Sequence, residues 1–275
     1  MSVEVRTPSH PDQVIQFKGV EFAVKKDKGE KCNLINYSII NFAKKGDNYA
    51  SHITSILANT ENSENDEKEE ISYVVKVNPC RTSEVWNGPL NDMFIHEGTF
   101  LYDMAPCLTQ VLKKYREDPL RVPKCYYHTH ELKNEYIIME DLRKKNFKMI
   151  DRRVGLNVPH TVLILNELAR MHASSHILEK ESNTPLEKLY PFLAKQVIIK
   201  GTEYYKTFDA VITKQIETSI IILKEYGGYE RGIEILESMK TNPWDIYNEQ
   251  IFMPVPDKFR ALSHGDCWSN NFLFR

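Results

Sequence analysis

The sequence lacks the features that would place the protein in a membrane, in the secretory pathway or on nucleic acid. No apolar run reaches the roughly 18 residues that a transmembrane helix needs. The N-terminal stretch MSVEVRTPSHPDQ contains no apolar segment of the kind found in a secretory signal. The net charge is only −2, so no strong positive field favours nucleic acid. We therefore expect a cytoplasmic protein with no membrane span and no nucleic-acid partner.

The cysteines also lack a recognisable pattern. There are five of them, and none belongs to a CxxC pair: Cys32, Cys80, Cys107, Cys125 and Cys267. An odd number with irregular spacing indicates free thiols in a reducing compartment and disfavours a zinc site. This agrees with a cytoplasmic location.

The first part of the chain, which shows no internal repeat, has the pattern of β-strands. Residues 35–57 alternate loosely between apolar and polar and are interrupted by a glycine turn at residues 44–48. Residues 71–77, ISYVVKV, are rich in the β-branched residues typical of strands. The acidic stretch at residues 61–70 separates these segments. We expect it to form a solvated hairpin tip.

Helical spacing of apolar residues predominates after this sheet region. It marks residues 91–105, 159–179 and 186–240. Pro106 is expected to end the first of these helices, and Gly227-Gly228 to break the last. Residues 136–142, YIIMEDL, lie between helices and read as one more strand. The order predicts an α+β protein with a sheet lobe over residues 1–142 and a helical lobe over residues 143–275.

Two charged residues in the sheet lobe are candidates for phosphate binding. On a strand, Lys76 points away from the face that carries Tyr73, Val75 and Val77. Glu97 lies on the apolar stripe of the next helix, where a carboxylate needs a cationic or hydrogen-bonding partner. A strand lysine followed about 20 residues later by a helix glutamate is the pair that anchors nucleotide phosphates in kinases. We therefore predict an ion pair between the two.

The glycine turn between the first two strands is a weaker candidate. Backbone amides at Gly46, Asp47 and Asn48 can approach phosphate oxygens, and Ser51 adds a hydroxyl donor. A single glycine between strands is more often an ordinary hairpin.

The most specific pattern is the loop His264-Gly265-Asp266-Cys267-Trp268-Ser269-Asn270-Asn271. It has the HxDxxxxN spacing of a kinase catalytic loop and stands directly before an apolar strand. In such a loop Asp266 can accept the proton of an attacking hydroxyl, and Asn271 can reach back to bind Mg²⁺. His264 is part of this catalytic loop, and a role in supporting the loop is favoured over a role as a base.

At these residues the chain resembles the ecdysteroid-kinase-like, or CHK-type, family, which is related to choline and aminoglycoside kinases. LSHGDCWSNNFLF closely resembles the HGDxWxxN loop of that family. The other matching segments follow in the same order along both sequences: GDNYAS at residues 46–51, YVVKV around Lys76, FIHEGTFLYDMAP around Glu97, IIMEDL, and LARMHASS at residues 168–175. The last segment resembles the helix that supports the catalytic loop.

The resemblance implies a protein-kinase-like two-lobe fold. It has a small antiparallel-sheet lobe with one main helix and a larger helical lobe. It also implies ATP and Mg²⁺ as cofactors and a small-molecule alcohol, such as an ecdysteroid, as substrate. Adenine would lie against the hinge, where the Glu140 carbonyl and the Leu142 amide bond the base and Met139 lines the pocket. Asp266 would be the base and Asn271 the metal ligand.

The chain departs from the family pattern at its end. The family carries a second metal-binding aspartate on a strand hairpin after the catalytic loop, and this sequence ends at Arg275 before it. We therefore expect a C-terminally incomplete lobe, a last strand without a return partner and weak activity for the chain as given. Cys267, where the family more often has an aliphatic residue, is expected to pack with little effect.

Two other functions remain as alternatives. The first is a catalytically impaired fragment or pseudokinase that binds a nucleotide or a partner without transferring phosphate. The second is a metal-dependent hydrolase using His264 and Asp266, which no second histidine cluster supports. His172 and His176 lie one helical turn apart but lack the glutamate of a zincin and are expected to pack. For either kinase reading we expect a monomer or weak dimer.

Overall fold

The computed structural model describes residues 11–42, 51–79, 84–131, 134–194, 199–246 and 259–275. By contacts the chain divides into two units. The first comprises Met1–Lys195 and Arg260–Arg275, and the second comprises Gln196–Phe259. The sheet, the long helix and the loop before the C-terminus all belong to the first unit. The lobe boundary near residue 142 stays a prediction.

A five-stranded antiparallel sheet forms the centre of the first unit. In spatial order its strands are β1 (Cys32–Ile40), β2 (His52–Asn62), β3 (Lys68–Val77), β5 (Tyr136–Glu140) and β4 (Cys125–His128). The predicted strands are confirmed, and β4 is an additional one. The predicted hairpin tip is shorter than expected. Glu61 pairs with Lys68, so only residues 63–67 form the turn.

One face of the sheet is covered by an N-terminal helix that the sequence analysis did not identify. A short helix α1 (Pro11–Val14) precedes α2 (Phe17–Lys28), whose buried residues include Val20 and Val24. They belong to the same core cluster as Tyr73, Val75 and Val77 of β3. The alternation of β3 therefore directs its apolar side chains to α2 and Lys76 to the opposite face, as predicted.

The opposite face of the sheet packs against a long helical run. It consists of α3 (Glu84–Thr99), a π-helical turn (Phe100–Met104) and α4 (Ala105–Lys114). The expectation that Pro106 ends the helix is wrong. The Ala105 amide donates to the Phe100 carbonyl across the wider turn, and Pro106 falls in the first turn of α4. Proline lacks a backbone N–H donor, but the first turn of a new helix has no intrahelical acceptor for that donor.

The long helix predicted over residues 159–179 is α5 (Val158–Ser182). Met171 of α5 packs with Met104, Leu108 and Leu112 in a second core cluster. A 3₁₀ turn (Leu142–Lys145) connects the sheet to this region, and two short elements follow α5, namely α6 (Leu186–Leu189) and a 3₁₀ turn (Pro191–Ala194).

The last strand has a partner, contrary to expectation. Strand β7 (Leu273–Phe274) pairs antiparallel with β6 (Lys148–Met149). The expectation considered only a strand further along the chain. The partner instead comes from a segment more than a hundred residues earlier, so local sequence could not indicate it.

The described residues of the second unit include the helices α7 (Glu203–Tyr226) and α8 (Glu230–Ser238). The predicted break between them is confirmed, since Gly227 and Gly228 have φ angles of 72° and 78°. Such positive φ values favour glycine. Within the ranges given above, no helix is long and apolar enough to cross a membrane.

Candidate active site

Lys76 and Glu97 form the predicted ion pair. The Lys76 Nζ and Glu97 Oε2 atoms are 2.5 Å apart, and both side chains are partly exposed. Lys76 comes from β3 and Glu97 from α3, so the pair joins the sheet to the helix on its second face. The Lys76 Nζ also lies 5.9 Å from the centroid of the Phe94 ring. The ammonium group is thus held in place while remaining open to solvent.

A close approach between α3 and β4 allows this pair to form. A Cβ atom added at Gly98 would lie only 2.7 Å from the Nδ1 atom of His128. Glycine therefore lets the helix carrying Glu97 pack directly on the imidazole ring. His128 is half-buried, and its Nδ1 lies 2.9 Å from the Nε2 of His130. Burial first, and then the neighbouring His130, lower the pKa of His128 to about 4.

The predicted hinge follows directly after the core of the sheet. Met139 is half-buried and packs against the cluster that contains Phe94, on the α3 side. The Glu140 amide donates to the Lys124 carbonyl at 2.9 Å. Leu142 begins the 3₁₀ turn, so its amide has no acceptor within that turn. The Leu142 amide could therefore donate a hydrogen bond to a ligand. Binding of the adenine base by Met139, Glu140 and Leu142 stays a prediction.

Asp141, between two predicted hinge residues, is the most buried carboxylate of this segment. Its side chain accepts hydrogen bonds from the Ser72 hydroxyl at 2.6 Å and from the Arg143 amide at 3.1 Å. The Arg143 guanidinium adds two bonds of 2.8 Å through Nε and Nη2. Burial alone would raise the pKa of Asp141. The bonds from Arg143 and Ser72 outweigh it and hold the pKa below its ordinary value.

The predicted catalytic loop is a hydrogen-bonded turn. The Asp266 amide donates to the Nδ1 atom of His264 at 3.2 Å, so this ring nitrogen acts as an acceptor. Gly265, between them, has a φ of 77°, which favours glycine. The contact ties the His264 ring to the backbone of the loop, consistent with the supporting role.

Asn271 closes the same loop. Its Nδ2 donates to both the carbonyl oxygen and the Oδ2 of Asp266, each at 2.8 Å. Asn271 ends a 3₁₀ turn (Ser269–Asn271) that leads into β7. Because the amide nitrogen is directed to Asp266, the amide oxygen points away from it and can bind a cation. The structure thus brings the predicted base and the predicted metal ligand together.

The segment before the loop is attached to α5. The Leu262 amide donates to the Ser175 hydroxyl at 2.9 Å, and the Nδ1 of His176 lies 2.9 Å from the Arg260 carbonyl. The side chain of Leu262 packs on the cluster that includes Met171. The helix containing LARMHASS therefore contacts the chain leading to the catalytic loop, and His176 has a packing role.

Part of the predicted nucleotide turn lies outside the described residues. This applies to Gly46, Asp47 and Asn48. Ser51 is described and is buried directly before β2. Its role in binding phosphate stays a prediction.

The oxygens of the loop fit a magnesium ion that is shared with a nucleotide. Mg²⁺ prefers oxygen ligands and is commonly held by one or two protein groups together with substrate phosphates. The Asn271 amide oxygen is such a group. Across the described ranges, no cluster of three or more His, Cys, Asp or Glu residues is placed to hold a metal ion without a substrate.

Three residues of the site region were missed by sequence reasoning. Gly98 and Ser175 had no signal, because their importance depends on His128 and Leu262, which are distant in sequence. Asp141, in contrast, could have been recognised from the sequence as a residue that needs a partner. A charged residue directly after the buried strand residues YIIME needs a partner unless it is exposed.

The arrangement as a whole defines a class of protein. It is an α+β fold with a five-stranded antiparallel sheet, a strand–helix lysine–glutamate pair and an HxDxxxxN loop, as in kinase-like phosphotransferases. The model of the ecdysteroid kinase-like family matches residues 45–275, which is most of the chain. The chain therefore belongs to the ecdysteroid kinase-like family, and membership indicates a kinase-like enzyme. No curated protein and no solved structure matches the chain.

Proposed function

We propose that the protein transfers the γ-phosphoryl group of ATP to a hydroxyl of a small-molecule alcohol, an ecdysteroid or a compound of similar kind. The observation that carries the proposal is the presence of two separate constellations in one unit. One is the Lys76–Glu97 pair, and the other is the hydrogen-bonded Asp266–Asn271 loop. Either alone has an ordinary structural explanation. Together, in a chain of this family, they match the division of labour in phosphoryl transfer.

The residues have distinct roles in this proposal. The Lys76 ammonium binds phosphate oxygens, and Glu97 holds that ammonium in position. Asp266 accepts the proton of the substrate hydroxyl as its oxygen bonds to the γ-phosphorus and the bond to the β–γ bridging oxygen breaks. ADP is the leaving group. Asn271, together with phosphate oxygens, would hold a Mg²⁺ ion, which would supply charge neutralisation.

The proposal also covers nucleotide binding, the two lobes, the cellular location and the oligomeric state. Glu140 and Leu142 bond the base beside Met139, and the turn with Gly46, Asp47, Asn48 and Ser51 covers the phosphates. The hinge separates a nucleotide-binding lobe, residues 1–142, from a helical lobe, residues 143–275. Four cysteines, Cys32, Cys107, Cys125 and Cys267, are free thiols, which supports a cytoplasmic location. We propose a monomer or weak dimer.

The test is an ADP-release assay with a panel of steroid and small alcohols. Asp266→Asn should reduce turnover by about 10²- to 10⁴-fold, the usual contribution of a general base. Asp66→Asn is the matched control, because Asp66 lies in the exposed turn between β2 and β3. Measurable wild-type turnover that Asp266→Asn leaves unchanged would refute the mechanism.

A binding measurement separates the enzyme from the non-catalytic alternative. Lys76→Met should weaken MgATP binding, whereas Lys68→Met, at an exposed position of the same strand, should not. MgATP binding that depends on Lys76 but gives no turnover with any alcohol in the panel would favour a nucleotide-binding protein. If wild type binds no MgATP, the proposed function fails.

A further inference from the structure

A chain of contacts connects the predicted hinge to the end of the first strand. Asp141 is the centre of the chain, with its side chain only 1% exposed. On one side it accepts a hydrogen bond from Ser72 of β3, and on the other it holds the guanidinium of Arg143 by two parallel bonds. Paired bonds of this kind fix the plane of a guanidinium as well as its position.

The oriented guanidinium stacks on an aromatic ring from another element. The Cζ atom of Arg143 is 3.7 Å from the centroid of the Phe42 ring. Phe42 follows β1 and is the last described residue before the predicted nucleotide turn. The position of the strand end is itself supported, since the Thr54 hydroxyl donates to the Asn41 side chain at 3.0 Å.

We infer that Asp141, Arg143 and Phe42 act as a hinge clamp, positioning the base end of a bound nucleotide by fixing the spacing between the hinge and the end of β1. The inference rests on the proposed function. Glu140 and Leu142, the predicted base-binding residues, directly flank Asp141. The clamp therefore holds the hinge backbone from one side and the entry to the nucleotide turn from the other. None of the three is a catalytic residue.

The clamp acts on a different part of the nucleotide from Lys76. Lys76 is oriented by Glu97 on α3, and neither residue contributes to the clamp. Loss of the clamp should therefore weaken binding of the base and leave binding of the phosphates unchanged. A residue needed only for folding would not discriminate between these two parts of the ligand.

The experiment compares three variants by equilibrium titration with MgATP and with magnesium tripolyphosphate, which has no base. Phe42→Leu removes the ring, Arg143→Lys removes the planar fork, and Phe42→Tyr keeps the ring and serves as the matched control. The first two should weaken MgATP binding by about fivefold, in the range of one cation–π contact. Phe42→Tyr should bind MgATP like wild type, and tripolyphosphate binding should be the same for all. Turnover at saturating ATP should also be unchanged.

The outcomes separate the clamp from the proposed function. Equal MgATP affinity for Phe42→Leu and Phe42→Tyr would overturn the clamp. A parallel loss of MgATP and tripolyphosphate binding would also overturn it, because that result indicates general destabilisation. If Lys76→Met weakens MgATP binding while the clamp variants bind as wild type does, only the clamp is wrong. If wild type binds no MgATP, both proposals fall.

Discussion

The ring of His128 occupies the space that a side chain at position 98 would need. An added Cβ on Gly98 would lie 2.7 Å from the Nδ1 of His128, closer than real Cβ contacts allow. Glu97, the neighbour of Gly98, pairs with Lys76. The packing of α3 on β4 and the ion pair of the candidate site are therefore linked through one glycine.

Gly98→Ala should displace α3 from β4 and lengthen the Lys76–Glu97 contact. We expect a loss of about 1–3 kcal/mol in the free energy of unfolding, as for other overpacked sites, and weaker MgATP binding. Chemical denaturation and MgATP titration would measure the two effects. Gly232→Ala in α8 is the control, because its methyl group would meet Leu223 at an ordinary 3.8 Å. Equal stability of the two variants would contradict the prediction.

The environment of His128 should make stability depend on pH. Burial, followed by the influence of His130, lowers its pKa from 6.5 to about 4. Between these values the unfolded chain binds more protons at this site than the folded chain. The contribution to stability is therefore present above pH 6.5 and is lost as pH falls towards 4.

The measurement is urea unfolding of wild type and His128→Gln across this pH range. The difference in unfolding free energy between the two proteins should change with pH in the direction given, because they differ only at position 128. His52→Gln, at an exposed position of β2, should keep the wild-type pH profile. A constant difference between wild type and His128→Gln would show that the histidine is not held neutral.

Ser175→Ala should affect the catalytic loop more than nucleotide binding. The hydroxyl accepts from the Leu262 amide and donates to the His172 carbonyl, each at 2.9 Å, in a fully buried position. Leaving the Leu262 amide unpaired should cost about 1–3 kcal/mol of stability. Turnover should fall while the KM for ATP stays close to wild type.

Ser174→Ala is the matched control for Ser175→Ala. Ser174 is equally buried, but its hydroxyl donates to the Met171 carbonyl within the same helix. Steady-state kinetics of both variants would measure turnover and the KM for ATP. A larger loss of turnover in Ser174→Ala than in Ser175→Ala would argue against support of the loop by α5.

Gly19→Ala should separate α2 from the sheet. A Cβ there would be 2.1 Å from the Tyr136 hydroxyl and 2.9 Å from the Tyr127 ring. We expect a loss of about 1–3 kcal/mol in the free energy of unfolding. In a double-mutant cycle, Tyr136→Phe should recover part of this loss by removing the hydroxyl. If the effects of the two substitutions on the free energy of unfolding were strictly additive, the Tyr136 hydroxyl would not be the cause of the steric clash.

The sequence alone determined the features that depend on neighbouring residues. The alternation Tyr73, Val75, Val77 placed Lys76 on the opposite face of its strand, because successive side chains of a strand point to opposite sides. The spacing from Asp266 to Asn271 predicted that one loop would bring both together. The α+β class followed from a change in apolar period along the chain, and the family resemblance rested on short motifs of the same local kind.

Only the tertiary structure decided the contacts between distant segments. It paired β7 with β6, packed Gly98 on His128, joined Ser175 to Leu262 and stacked Arg143 on Phe42. Periodicity shows which side of an element is apolar but not which element covers that side. Local chemistry therefore supplied the candidate residues, and long-range packing decided how they are held.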